Sequence, residues 1–220
     1  MGLPKLDKPE PLAKMAFNVL RDSILSNELI TGVVYNEKGL ANDLGISRTP
    51  VREALLELSS KRLVRFLPQK GVVINTFSNR EVEEVFEVRT TLESLSIHKA
   101  CLNYETLDIS GFKKCLLNQE NAVNLKNAVE FMAADRCFHS QFTKLTNNNY
   151  LIEMMRDIRD IVHLMGFRGL ETKGRMQEVI KEHKNILNAV LQGNTVDAIQ
   201  QMEFHLESSE KAVKTFRQEE

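Results

Sequence analysis

Between residues 11 and 60 the apolar positions recur every three or four residues, the spacing of buried helix faces. Leu12, Met15, Phe17, Val19, Leu20, Ile24 and Leu25 predict a first helix over 11–27. Leu40 and Leu44 predict a short second helix over 37–44, stopped by Gly45. Val51, Leu55 and Leu58 mark the inner face of a third, over 48–60. Ser47 or Thr49 is expected to cap it, because a hydroxyl accepts from the free N–H groups of a first turn. Pro50 suits that turn, where its missing donor costs nothing. The pattern then becomes β-like: residues 63–67 and 72–74 flank Pro68-Gln69-Lys70-Gly71, which reads as a hairpin. Three helices and a hairpin predict a winged helix-turn-helix over 11–76, behind a loose Pro- and Lys-rich arm at 1–10.

Past 75–79 the pattern changes again. No run reads as a strand, and no proline occurs. Amphipathic stretches fill 79–104, 106–125, 127–146, 148–167, 173–192 and 195–217, broken at polar or Gly-containing spots. They predict an antiparallel six-helix bundle over 77–220, large enough to have its own core. The fold class is therefore mainly α.

Charge sharpens this division. Residues 1–75 hold 11 Lys/Arg against 8 Asp/Glu, and the remainder holds 18 against 22. A mildly basic head on an acidic body suits a nucleic-acid module joined to something else. Cys101, Cys115 and Cys137 show no CxxC pairing and read as buried apolar fillers in a reducing compartment. No stretch approaches the roughly 20 apolar residues of a membrane span, and no signal peptide is visible. A cytoplasmic protein without a membrane partner is expected.

The third helix carries candidate chemistry. Arg48 and Arg52 are four apart and project to one side of its start. A guanidinium fork matches guanine O6/N7, and helix-turn-helix proteins lay such a helix in the major groove of double-stranded DNA. Thr49 is a candidate for a phosphate or a thymine methyl, and Lys38 for a backbone phosphate. Lys70 and Gly71, at the wing tip, are candidates for the adjacent minor groove. An ordinary surface helix pairing its arginines with Glu53 or Glu57 would share the spacing, but not the surrounding turn and hairpin. Thr31-Gly32, the run from Leu40 through Leu55 and Gly71-Val72 resemble the DNA-binding head of the GntR family of bacterial transcription regulators, over about 60 residues. Two positions depart from the family pattern: Thr31, where proline is common, and Arg62, where the family usually has glycine at the helix end.

The second half holds a further constellation. Asp135 and His139 are four apart and point the same way. His183 lies ten residues before Gly193 and His205 eleven after Asn194, so in an antiparallel pair their heights match. One carboxylate and three imidazoles inside a bundle suit a divalent metal: zinc, nickel or manganese, zinc slightly first. His98 and His163 lack such partners. Arg89 is a candidate clasp for a carboxylate, or else an intrahelical partner of Glu93 or Glu87.

Asp135-Arg136-Cys137-Phe138-His139, Glu182-His183, His205-Leu206, Asn148 with Leu151, and Arg89-Thr90-Thr91-Leu92-Glu93 resemble the all-helical (FCD-type) effector domain of the FadR-like GntR branch. That resemblance implies a homodimer whose six-helix domain binds a metal and a small organic acid effector, with DNA binding modulated at a two-fold operator. Two other functions are compatible with a histidine-rich metal site: a metal-dependent enzyme, and an architectural DNA binder with a closed structural metal.

Overall fold

A computed structural model describes residues 10–166 and 168–218, with residues 168, 171 and 216–218 described by backbone alone. The expected arm at 1–10 lies outside them except for Glu10. Contacts divide the chain into two compact units, Met1–Thr76 and Phe77–Glu220.

In the first unit, α1 (Leu12–Leu25) buries Ala16, Phe17, Leu20 and Ile24 against α3. Next come β1 (Val34–Tyr35), α2 (Glu37–Leu44), α3 (Arg48–Ser60), β2 (Val64–Leu67) and β3 (Gly71–Ile74). Asn36 caps α2, its side-chain oxygen accepting from Gly39 N at 2.7 Å. Gly45 ends α2 at φ 66°, and the Ile46 N–H returns to Ala41 O, a left-handed stop that glycine adopts at no steric cost. Val51, Leu55 and Leu58 are buried, as their spacing requires. Ser47 does occupy the N-cap position of α3, but neither it nor Thr49 makes the expected cap hydrogen bond.

The wing contains more than a hairpin. A third strand, β1, pairs antiparallel with β3, giving the order β1-β3-β2 and placing Tyr35 opposite Val72. Two residues are too short to show alternation, so the sequence pattern misses it. The strand also explains Gly71. At φ 124°, any Cβ there would collide with the Tyr35 carbonyl oxygen. Packing inside the head therefore demands glycine at 71 whether or not DNA approaches it.

The second unit contains α4 (Asn79–Cys101), α5 (Ser110–Asn124), α6 (Ala128–Leu145), α7 (Asn149–Gly166), α8 (Arg175–Leu191) and α9 (Thr195–Gln218), with 3₁₀ turns at Tyr104–Thr106 and Arg168–Glu171. Ser78 and Glu81 start α4 as a reciprocal capping box. Asn127, Asn148 and Asn194 accept from backbone N–H groups at the starts of α6, α7 and α9, so the polar breaks in the pattern act as caps. Helix α4 packs against α6, α7, α8 and α9. Its buried stripe runs Val82, Phe86, Arg89, Glu93, Ile97 and Ala100, with two charges in the middle of an apolar face.

The cysteines depart from expectation. Cys115 on α5 and Cys137 on α6 form a disulfide, with Cα atoms 5.9 Å apart, and only Cys101 is a free buried filler. Helices α5 and α6 lie side by side, which brings together positions 22 residues apart in sequence. The inference of a reducing compartment from unpaired cysteines therefore falls.

Two predictions follow from the backbone. Arg62 sits at φ 59°, the left-handed position just past α3 where glycine carries no strain. Arg62→Gly is expected to raise the stability of the head by about 1 kcal/mol, read as a higher unfolding midpoint; a lower midpoint would contradict the strain. The protein denatured without reductant should show a single reactive thiol, Cys101. The double variant Cys115→Ser/Cys137→Ser should lose roughly 3 kcal/mol of bundle stability through loop-closure entropy.

Candidate functional site

Helix α3 presents Arg48, Thr49 and Arg52 on an exposed surface at its N-terminal end. Arg48 reaches across to α2, where Glu37 holds it at 3.3 Å. The alternative partners Glu53 and Glu57 do not take it, and Glu57 instead faces Lys14 at 3.7 Å. An exposed pair of this kind contributes at most about 1 kcal/mol, so it orients Arg48 without committing it. Lys38 is exposed in the first turn of α2, and Lys70 is exposed at the wing turn beside Gly71.

In the second unit, Asp135 and His139 on α6, His183 on α8 and His205 on α9 come together. One ligand atom from each lies within 4.8 Å of the others. The three imidazoles are at most 1% exposed. His139 Nε2 and His205 Nε2 are 3.2 Å apart, and Asp135 Oδ1 lies 3.5 Å from His183 Nε2. Buried His183 Nε2 has no hydrogen-bond partner.

Each outward-facing Nδ1 has a neighbour that the sequence reading did not assign. His183 Nδ1 meets Gln119 Oε1 on α5 at 3.0 Å. His205 Nδ1 meets Glu182 Oε2 on α8 at 2.7 Å. His139 Nδ1 lies 3.2 Å from Glu93 Oε1 on α4, off the hydrogen-bonding line, so that contact is chiefly electrostatic. An acceptor at Nδ1 fixes the tautomer that leaves Nε2 free to donate its lone pair. Phe138 stacks on His183 at 4.1 Å between ring centroids, which fixes the ring plane. His98 and His163 lie outside this cluster.

Burial and charge reinforce the arrangement. Burial pushes His183 well below the ordinary imidazole value, helped by the neighbouring His205 and His139. Burial also lowers His205, against the opposing pull of Glu182. Both rings are thus held in the neutral form that ligates metals. Burial would raise Glu93, but His139, Arg159 and Arg89 outweigh it and hold its carboxyl at about 2. Glu182 is likewise held low: His205 and Arg175 overcome its burial.

A partly open cavity lies beside the cluster, with Asp135 and His205 in its wall together with Arg89, Arg175 and Ser209. Arg175 closes its fork on Glu182 at 2.5 and 3.0 Å and donates to Ser209 Oγ at 3.1 Å. Arg89 lies 3.7 Å from Glu93, so the intrahelical pairing exists, yet its buried Nε has no hydrogen-bond partner. The carboxylates of buried Glu93 and Glu182 and of half-buried Asp135 are equal in number to the guanidinium groups of Arg89, Arg159 and Arg175. A dication added among the imidazoles would therefore leave excess positive charge.

Comparison with known proteins agrees with both units. Residues 12–74 match the family described as bacterial regulatory proteins, gntR family, and residues 84–208 match the FCD domain. The chain is an FCD-domain member of the GntR family. It is 26% identical over 202 residues to the uncharacterized HTH-type transcriptional regulator YdhC of Bacillus subtilis, covering 91% of this chain and 90% of that protein. It is 26% identical over 170 residues to the gluconate operon transcriptional repressor of Bacillus licheniformis, covering 77% and 68%. A GntR transcriptional regulator from Rhodococcus sp. RHA1 has the same fold, with a TM-score of 0.84 at 24% identity over 92% of this chain and 97% of that one. The protein is thus a DNA-binding transcriptional regulator rather than an enzyme. Among the described residues, no helix is long and apolar enough to cross a membrane.

Outer partners of this kind usually tune metal affinity by 10–100-fold. For an ion held by this cluster, with zinc as the probe, Glu182→Gln is expected to weaken binding by about that factor while leaving the helix content unchanged. His205→Ala should abolish stoichiometric loading. Both are read by metal analysis after dialysis, and full loading of His205→Ala would remove His205 from the ligand set.

Proposed function

We propose that this regulator holds a divalent metal at Asp135, His139, His183 and His205, and that a small carboxylate in the adjoining cavity modulates operator binding. The observation that carries this reading is the convergence of four ligand groups beside a cavity whose wall includes two of them, Asp135 and His205, together with Arg89. The donor set fits the ion: the buried His183 Nε2 lacks a partner, and each Nδ1 faces an acceptor. Three imidazoles and a carboxylate suit zinc first, with nickel or manganese also accommodated. When bound, the metal would supply a Lewis-acid contact for an anion. Arg89 would clasp the acid with its guanidinium, and the matched charges leave the metal's charge for the acid to neutralise. One relative's name refers to the gluconate operon, consistent with control of an organic-acid gene set.

At the DNA, Arg48 and Arg52 would read base edges from α3, Thr49 would contact a phosphate or a thymine methyl, Lys38 would contact a backbone phosphate, and Lys70 beside Gly71 would enter the neighbouring minor groove. A homodimer working in the cytoplasm would place two heads on a two-fold operator. Exposed Val88 and Leu95 on α4 and Leu102 at its C-cap lie seven apart, the kind of apolar row that a second bundle would cover. Coupling would pass along the chain from β3 through 75–78 into α4, which carries Arg89 and Glu93.

Arg52→Ala is expected to cost about 1–3 kcal/mol of specific operator binding, measured by fluorescence anisotropy, with unchanged circular dichroism. Binding as tight as in the parent protein would remove Arg52 from the groove. Chelation of the metal should leave DNA binding intact but abolish its response to added acids; an undiminished response would contradict a metal-centred effector site.

A further inference from the structure

The cavity has an unequal lining. Its polar groups are Asp135, His205 and Arg89, the first two of them members of the histidine cluster, and a second set, Arg175 with Ser209. The rest is walled by Phe86, Met132, Val162, Leu170, Val179 and Val213. The second polar group is already engaged: the Arg175 fork is closed on Glu182, and Ser209 Oγ accepts from Arg175. Among the described lining residues this leaves the Asp135 carboxylate, the Ser209 hydroxyl proton and the Arg89 guanidinium, whose Nε lies 3.7 Å from Glu93, to meet polar groups of a ligand. One carboxylate head is provided for; a string of hydroxyls is not.

We propose that the effector is a small monocarboxylate with an apolar body, its head toward the metal and Arg89 and its hydrocarbon against the wall from Phe86 to Val213. This deepens the reading of the cavity as a carboxylate site and rests on it. The basis is the hydrogen-bond balance of burial. A hydrocarbon chain entering this space leaves water and loses no partner. A polyhydroxylated acid of equal length must shed water from every hydroxyl and recovers few bonds, and an unmatched hydroxyl in an apolar pocket discriminates by up to about a hundredfold. The acid class that this regulator senses is thereby separated from sugar acids by the wall rather than by the metal.

The test is isothermal titration of the full-length, zinc-loaded protein with acetate, hexanoate and gluconate. Hexanoate and gluconate share a chain length and a carboxylate and differ in their hydroxyls. Hexanoate is expected to bind at least about tenfold more tightly than either acetate or gluconate. Gluconate binding as tightly as hexanoate, or more so, would overturn the apolar-body assignment while leaving the carboxylate site intact. Silence from all three acids, with zinc retained, would instead remove the carboxylate site itself and the proposal with it. Val162→Asn places an amide in the wall and should narrow the hexanoate-to-gluconate ratio. The near-isosteric Val162→Thr should shift the ratio the same way if the amide disrupts folding. An equal loss for every acid in Val162→Thr would show that the wall does not select, and would overturn the proposal.

Discussion

The bundle is organised around one electrostatic problem: three imidazoles are buried with their Nε2 atoms turned toward one another. Two of those nitrogens are 3.2 Å apart, and a third has no hydrogen-bond partner. Lone pairs converging in a buried cluster repel, and protonation is opposed by burial. The surroundings are consistent with that constraint. Gln119, Glu182 and Glu93 come from three different helices to face the three Nδ1 atoms. Arg175 and Arg159 then accompany the carboxylates so introduced. Removing one member leaves an uncompensated charge in the core, which costs far more than an exposed pair ever contributes.

Helix α4 transmits this arrangement through the second unit. Its inner face would be an ordinary apolar stripe but for Arg89 and Glu93, one turn apart at its middle. The Phe112, Phe138 and Phe142 cluster braces α5 against α6 on one side of the site. The Cys115–Cys137 disulfide ties the same two helices. Gln119 lies one turn beyond Cys115, and Cys137 lies between Asp135 and His139, so the covalent tie and the ligand-bearing segments share the same stretch of each helix. Rigid positioning of this kind keeps a site within the tolerance that ligand geometry demands.

Much of this was legible in the sequence because it depends on period and spacing. The third helix over 48–60, the stop at Gly45 and the caps at Asn127, Asn148 and Asn194 follow from local rules. The meeting of His183 with His205 follows from counting outward from one turn. Features that depend on distant partners were not legible. Glu182 neighbours His183 in sequence but serves His205, because adjacent helical residues diverge by about 100°. Gln119 and Glu93 look like ordinary helix residues until α8 and α6 pack against them. The disulfide joins positions unrelated by any motif, and β1 is too short to leave a pattern. The sequence marks Gly71 as a wing-tip residue, but not that a Cβ there would meet the Tyr35 carbonyl. For the exposed DNA-facing residues the fold provides no comparable constraint, since no internal partner defines what they touch.

On the proposed reading, Arg89 is the point where two equilibria meet. Its guanidinium lies 3.7 Å from Glu93, and Glu93 lies 3.2 Å from His139. A ligand carboxylate that engages Arg89 competes with Glu93 for it, which leaves more of the Glu93 charge to His139 and Arg159. A more electron-rich environment around His139 strengthens it as a ligand. Linkage makes the effect reciprocal: whatever factor the acid adds to metal affinity, the metal adds to acid affinity. The intrahelical pair with Glu93 is thus part of how a ligand role for Arg89 would work. An arginine with no internal partner would bind the acid and report nothing to the metal.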